Sequence, residues 1–211
     1  KVLNKEQVDE LLKRIKNKTL RLIVRLALLT GLRKEELLTI PVHYISASQS
    51  FSARSHVVVE LDPQEMSTKG DKPRTIHVPI SLMADLWDYV IHERHETIRK
   101  HGTDPKTLFV TAKGNSWSIR TSLNNQLNRL KLSFACHPHI LRHTYATHTL
   151  KSLMSRKSTT FNPLIYVRDR LGHSSIMTTE KYLHFLDDIE DDLRTSYQKE
   201  IEETAKEAAC A

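Results

Sequence analysis

The chain has 211 residues, 39% hydrophobic and 27% charged, which is enough apolar material for one domain with a sizeable core. Its +7 net charge is unevenly spread: residues 185–211 hold nine acids and three bases, so the tail carries −6 and residues 1–184 carry +13. The longest apolar stretch, 20–32, is broken by Arg21, Arg25 and Thr30-Gly31, which excludes a bilayer span, and two cysteines, Cys136 and Cys210, exclude a disulfide framework.

Leu3, Val8, Leu11, Leu12 and Ile15 follow helical spacing behind Asn4, so residues 5–16 are predicted to form an amphipathic helix. A more buried helix is expected over 19–30 and stops at Gly31, and 33–38 supplies one or two further turns closed by Pro41. Three short strands are predicted at 42–45, 55–61 and 74–79, the last two separated by the polar segment Ser67-Thr68-Lys69-Gly70-Asp71-Lys72, which has the composition of a hairpin turn. Helices resume over 81–100 and are expected at 117–131, 139–153, 163–171 and 176–184. Leu186, Ile189, Leu193, Tyr197, Ile201 and Ala205 then mark a final amphipathic helix. Five glycines in the whole chain favour helices over a turn-rich all-β fold, so the expectation is an α+β, mainly helical domain with a small antiparallel three-stranded sheet.

The basic body suggests a polyanionic partner and the acidic tail solvation or a protein partner, and charge alone does not choose between nucleic acid, anionic membrane and mere solubility for the body. Twelve histidines are many for this length, and five fall between His137 and His173. Metal is one explanation, because Cys136, His137, His139, His143 and His148 cluster and His139/His143 have i,i+4 spacing; no carboxylate lies among them, however, and Arg142 opposes a cation. A structural or surface role for His143 and His148 is the simpler reading. Pro138 fits a first helical position, so His139 and Arg142 would share one face near the N-terminus of a helix. A proton carrier and a guanidinium fork would then stand beside unpaired N–H groups, an arrangement suited to phosphate.

Other candidates are Arg33 in Thr30-Gly31-Leu32-Arg33-Lys34-Glu35-Glu36-Leu37, and Leu171-Gly172-His173 followed nine residues later by Tyr182. Each alone has a bland explanation: a solvated or Glu-paired arginine, a helix-end cap, a half-buried aromatic. The ordered set of Arg, hairpin Lys, His-x-x-Arg, Gly-His and Tyr resembles the catalytic domain of the tyrosine recombinases, the family of phage-type integrases and chromosome-dimer resolvases, over about residues 20–190. The resemblance places the first arginine on Arg33, buttressed by Glu36, and the hairpin lysine on Lys69, with Lys72 as a rival. It places His139 and Arg142 in the His-x-Leu-Arg-His pattern, the last histidine on His173 and the nucleophile on Tyr182. Segments 46–54 and 154–162 look like additions to the family pattern.

The resemblance implies a site-specific recombinase that joins Tyr182 to a DNA 3′-phosphate without ATP, metal or other cofactor. The free phenol has a pKa of about 10, so attack needs a base, for which His139 is the candidate, or strongly positive surroundings. Arg33, Arg142 and His173 would hold the non-bridging oxygens, and Lys69 would protonate the departing 5′-oxygen. The implied organisation is a catalytic domain over 1–185 and a protomer-docking helix over 186–211. The family's N-terminal core-binding domain is expected to be absent from a chain that begins at Lys1. The implied partners are double-stranded DNA and further copies of the chain, a tetramer on DNA and a monomer when free, with no membrane, in a bacterial cytoplasm at the nucleoid. A type IB topoisomerase, where lysine usually replaces His139, and a non-catalytic DNA- or metal-binding module are the alternatives.

Overall fold

In the computed structural model the described residues are 1–47, 55–120, 122–155, 162–172, 175, 177–179 and 182. Asn4 begins α1 (Lys5–Arg14): its side chain accepts the Gln7 N–H while the Gln7 side chain accepts the Asn4 N–H, so two donors of the first turn are satisfied reciprocally. Leu3, Leu11 and Ile15 turn inward. Asn17 accepts the Leu20 N–H and opens α2 (Lys18–Thr30), in which Leu20, Leu22, Ile23, Val24, Leu26, Ala27 and Thr30 are all buried. A helix apolar on so much of its circumference belongs in the middle of a domain. It packs there against α7 (Pro138–Met154), against α4 (Ile80–Tyr89) and against one strand of the sheet.

Gly31 ends α2 with φ at +66°, and a Cβ built on it would lie 2.3 Å from the Tyr145 ring of α7. Both the backbone angle and the close approach call for glycine. The chain then re-enters a helix at once, in α3 (Lys34–Thr39).

The strand expected over 42–45 is instead a 3-10 turn, Val42–Tyr44. Pairing is confined to an isolated antiparallel bridge between Pro41 and Thr107; the Tyr44 N–H then turns back to the Pro41 carbonyl, and the Tyr44 hydroxyl takes the N–H of Asp62. The three-stranded sheet is therefore corrected to two strands among the described residues, β1 (His56–Leu61) and β2 (Arg74–Pro79), antiparallel from His56 opposite Pro79 to Leu61 opposite Arg74. Val57, Val59 and Leu61 of β1 and Ile76 and Val78 of β2 are buried on one face, as period-two alternation requires. The connection between the strands is a long loop rather than a tight turn, with positive φ at Gly70 and Asp71 and the Asp71 N–H directed to the Thr68 carbonyl.

The single helix expected over 81–100 is a continuous helical run of α4, a π-helical turn Val90–Arg94 and α5 (His95–His101). Buried Arg94 turns its guanidinium to the carbonyls of Pro105, Thr107 and Leu108. α6 (Ser122–Asn128) is shorter than its expected span, and α8 (Pro163–Leu171) is opened by Asn162 and closed by Gly172. Ala146, Leu150 and Leu153 of α7 form a second apolar cluster with Val167 and Leu171 of α8 and with Tyr182, apart from the main core. No helix among the described residues is long and apolar enough to cross a membrane. His173, the C-terminal amphipathic stripe over 186–211 and most of the two expected additions lie outside the described residues.

Candidate active site

The reversal at Gly31 puts Arg33 at the first corner of α3. Its N–H donates to Glu36 Oε2 at 2.7 Å and its Nη1 to Glu36 Oε1 at 3.3 Å, so one carboxylate both caps the helix and steadies the guanidinium. Glu36 is only 1% exposed, and a second cation reaches it from the sheet. Arg74, at the start of β2, donates from Nε and Nη2 to the two carboxylate oxygens. The buttressing role expected of Glu36 thus serves two arginines rather than one.

Arg142 comes from the other side, in the second turn of α7. It is 4% exposed, with Nη1 donating to the Gly31 carbonyl and Nη2 to the Leu171 carbonyl at 2.6 Å. Burial, reinforced by the neighbouring Arg33 and Arg74 cations, pulls its pKa down to about 9 despite the pull of Glu36, so it stays protonated at neutral pH. Three guanidiniums against one carboxylate leave the site strongly electropositive, a place for an anion.

The end of α8 ties these arginines together. The carbonyls of Arg170, Leu171 and Gly172, three in succession, accept from Arg74 Nη1, Arg142 Nη2 and Arg33 Nη2 respectively, the last at 3.4 Å. A helix C-terminus has unpaired carbonyls and the negative end of its dipole, both of which suit cations. Gly172 is held tightly here, since with φ at +61° a Cβ on it would come within 2.8 Å of the Arg74 side chain.

Lys69 and Lys72 both line one cleft of about 800 Å3 with Arg33, Glu36, Arg74 and Gly172, so the loop brings both hairpin lysines to the arginines and does not choose between them. His139 is exposed at the start of α7, where a smaller cavity is shared by Arg33, His137, His139 and Arg142. Arg33 therefore stands where the lysine side and the histidine side of the site meet.

Tyr182 lines neither cavity. It is 1% exposed, its ring belongs to the α7–α8 cluster, and its hydroxyl lies 3.2 Å from Nδ1 of His143. Burial raises its pKa, while Arg142 and Arg33 oppose the rise, so the hydroxyl lies within the field of both guanidiniums.

Two residues that the sequence reading passed over belong to this constellation. His143, assigned a structural or surface role, contacts the Tyr182 hydroxyl, and its ring stacks on that of His139 with centroids 6.3 Å apart. The i,i+4 spacing of His139 and His143 was the available signal. Arg74 completes the pairing of Glu36, and its signal was its place at the start of a strand behind Lys69 and Lys72. Among the described residues no three His, Cys, Asp or Glu side chains are grouped so as to hold a metal ion.

A family model described as the phage integrase family matches residues 1–188. A tyrosine recombinase XerC of Oceanobacillus iheyensis is 34% identical over 136 residues, 62% of this chain and 40% of the relative. A tyrosine recombinase XerA of Saccharolobus solfataricus is 29% identical over 202 residues, 94% of this chain and 56% of the relative. The chain spans about half the length of the curated relatives it matches. The crystal structure of a XerA recombinase is similar with a TM-score of 0.69 at 23% identity, covering 93% of this chain and 65% of that one. The mainly helical fold with a small antiparallel sheet is the fold of that structure.

Proposed function

The chain belongs to the phage integrase family, and from this premise we propose that it is the catalytic domain of a site-specific recombinase that cuts and rejoins duplex DNA through a 3′-phosphotyrosyl ester at Tyr182. The observation that carries the reading is the trio of Arg33, Arg74 and Arg142 around the single carboxylate of Glu36, with the Tyr182 hydroxyl inside the field of two of them.

In this reading a DNA phosphate enters the cleft beside Lys69 and Lys72, and Arg33 and Arg142 offer N–H donors to its non-bridging oxygens. Such donors are worth about 10²–10³ in rate each, because they meet charge that develops in the transition state. The Tyr182 oxygen bonds to phosphorus as the bond from phosphorus to the 5′-oxygen breaks, and that oxygen leaves with the electron pair and takes a proton from Lys69 or Lys72. The phenol proton passes to a histidine of α7, His139 or His143. The bond energy stays in the tyrosyl ester, and a 5′-hydroxyl from a partner strand reverses the step without ATP.

The closed position of Tyr182 has a mechanistic consequence. Tyr182 is buried and lines neither cavity, so in this reading attack requires it to leave its packing between α7 and α8. The partner is double-stranded DNA bound by several copies of the chain, a tetramer in the assembled complex.

The experiment is covalent capture. Nicked duplexes drawn from the DNA flanking the gene are mixed with the protein, denatured in SDS and resolved on a gel. A retarded band is expected that Tyr182→Phe abolishes and that chelator leaves intact; no band across those duplexes refutes the recombinase reading.

A further inference from the structure

The Glu36 carboxylate is buried and has four donors around it, two from Arg33 and two from Arg74. The two arginines hold it differently. Arg74 presents a bidentate fork, with Nε and Nη2 on opposite oxygens, and its side chain is 7% exposed. Its remaining terminal nitrogen goes to the Arg170 carbonyl, so all three guanidinium nitrogens of Arg74 are engaged by protein. Arg33 gives Glu36 its backbone N–H and one long side-chain contact of 3.3 Å, and its side chain lines both the lysine-bearing cleft and the cavity at His139. A buried carboxylate draws in whatever cation is nearest. With Arg74 in place that demand is met by a bidentate fork, and Arg33, whose side chain is held by long contacts of 3.3 Å to Glu36 and 3.4 Å to the Gly172 carbonyl, keeps that side chain along both cavities.

We propose that Arg74 is a positioning residue of this site: its fork neutralises Glu36 and thereby leaves the guanidinium of Arg33 available to a phosphate. It acts through Glu36 and Arg33: Arg74 also lines the lysine-bearing cleft, but each of its three guanidinium nitrogens already donates to Glu36 or to the end of α8. A lysine cannot substitute fully, since one ammonium cannot span both carboxylate oxygens and the Arg170 carbonyl in the plane of a guanidinium fork. The inference rests on the reading of Arg33 as a phosphate ligand.

The consequence is a rescue that simple structural damage does not give. Arg74→Met leaves Glu36 with Arg33 as its only hydrogen-bonded cation among the described residues, which pulls the Arg33 fork off the phosphate. Adding Glu36→Gln removes the charge that does the pulling, so the double variant recovers what the single variant loses. Because Arg74→Met also strands a buried charge, Arg74→Lys is carried in parallel, alone and with Glu36→Gln.

Two readouts separate this inference from the recombinase reading. The first is the rise in melting temperature caused by pyrophosphate relative to chloride at equal ionic strength, a probe of anion binding that needs no DNA. The second is the rate of covalent capture on the nicked flanking duplexes, alongside their dissociation constant. Expected is a pyrophosphate shift in the parent that is mostly lost in Arg74→Met and regained in Arg74→Met/Glu36→Gln. Capture should be about tenfold to a hundredfold slower in Arg74→Met and at least tenfold faster in the double variant than in the single one, with duplex affinity changed less than about threefold throughout. If Arg74→Met does not fold, Arg74→Lys shows a loss of about tenfold and the same rescue. A double variant no better than its single parent, or an Arg74 variant with the parent's anion response, overturns the inference. Absence of a covalent band in the parent together with the expected pyrophosphate pattern overturns the recombinase reading and leaves Arg74 in its role.

Discussion

Gly31→Ala tests how closely α2 and α7 approach beneath the arginines. Two separate costs are expected. At φ +66° an alanine sits in the left-handed region, which costs about 1–2 kcal/mol for a residue with a Cβ. That Cβ would also lie 2.3 Å from the Tyr145 ring and 2.9 Å from a Leu171 methyl, and forcing a methyl into a packed contact costs about 1–3 kcal/mol. Together they predict a loss of about 2–5 kcal/mol, or about 4–20 °C in melting temperature for a domain of this size. Gly70→Ala is the control, for Gly70 has φ +71° with nothing within 4 Å of its would-be Cβ, so it reports the backbone cost alone. Both variants are compared by thermal melting followed by far-UV circular dichroism and by urea titration. The Gly31 carbonyl accepts from Arg142, so Gly31→Ala should also weaken the pyrophosphate response in protein that is still folded. If Gly31→Ala is no less stable than Gly70→Ala, the α2–α7 approach is looser than described here.

Replacing Arg142 by Ala should slow covalent capture by about 10²–10³ while leaving the band dependent on Tyr182. Because burial and two nearby cations pull Arg142 to about 9, anion affinity should fall as pH rises through that value. A bound phosphate favours the charged form and moves the fall upward in pH. Stability has the opposite sign for this group: between about 9 and the ordinary arginine value the unfolded chain keeps a proton that the folded state has released, so its contribution to stability increases with pH there. Affinity and melting temperature measured across that range check both. To decide between Lys69 and Lys72, each is changed to Ala and tested on a duplex whose 5′ leaving oxygen is sulfur. A thiolate leaves without a proton, so the variant of the true acid is rescued by sulfur and the other is not. Duplex affinity should fall with a log–log salt slope near −5 if about six phosphates are contacted, and a flat response refutes the DNA footprint.

The elements readable in the sequence were those whose signal is local. Asn4 and Gly31 mark helix ends through chemistry that acts within four residues, and the structure uses each as a cap or stop; Asn17, Asn162 and Gly172 act in the same way and were not singled out as helix ends. The 42–45 strand failed because its apolar residues satisfy a tight turn as well as a strand: pairing stops at the bridge of Pro41 with Thr107, and the Tyr44 N–H turns back to the Pro41 carbonyl. The roles of Arg74 and His143 were only faintly signalled, for a different reason. Their partners, Glu36 and Arg170 for one and Tyr182 for the other, lie far away in sequence, and only the folded chain brings them together.

The shared anchor at the end of α8 connects the two halves of the site. Leu171 contributes its side chain to the cluster that encloses Tyr182, and its carbonyl to Arg142. Its neighbours Arg170 and Gly172 give their carbonyls to Arg74 and Arg33. A displacement of this helix end therefore acts at once on the packing of Tyr182 and on all three guanidiniums. In the proposed reaction a phosphate's oxygens would compete with the Leu171 and Gly172 carbonyls for the N–H donors of Arg142 and Arg33, and charged acceptors win over neutral ones because charge-assisted bonds are about twice as strong. Anion binding would thus loosen the hold of those two arginines on α8, and with it the cluster that encloses Tyr182. On that proposal the anion itself would weaken the contacts that keep the phenol enclosed.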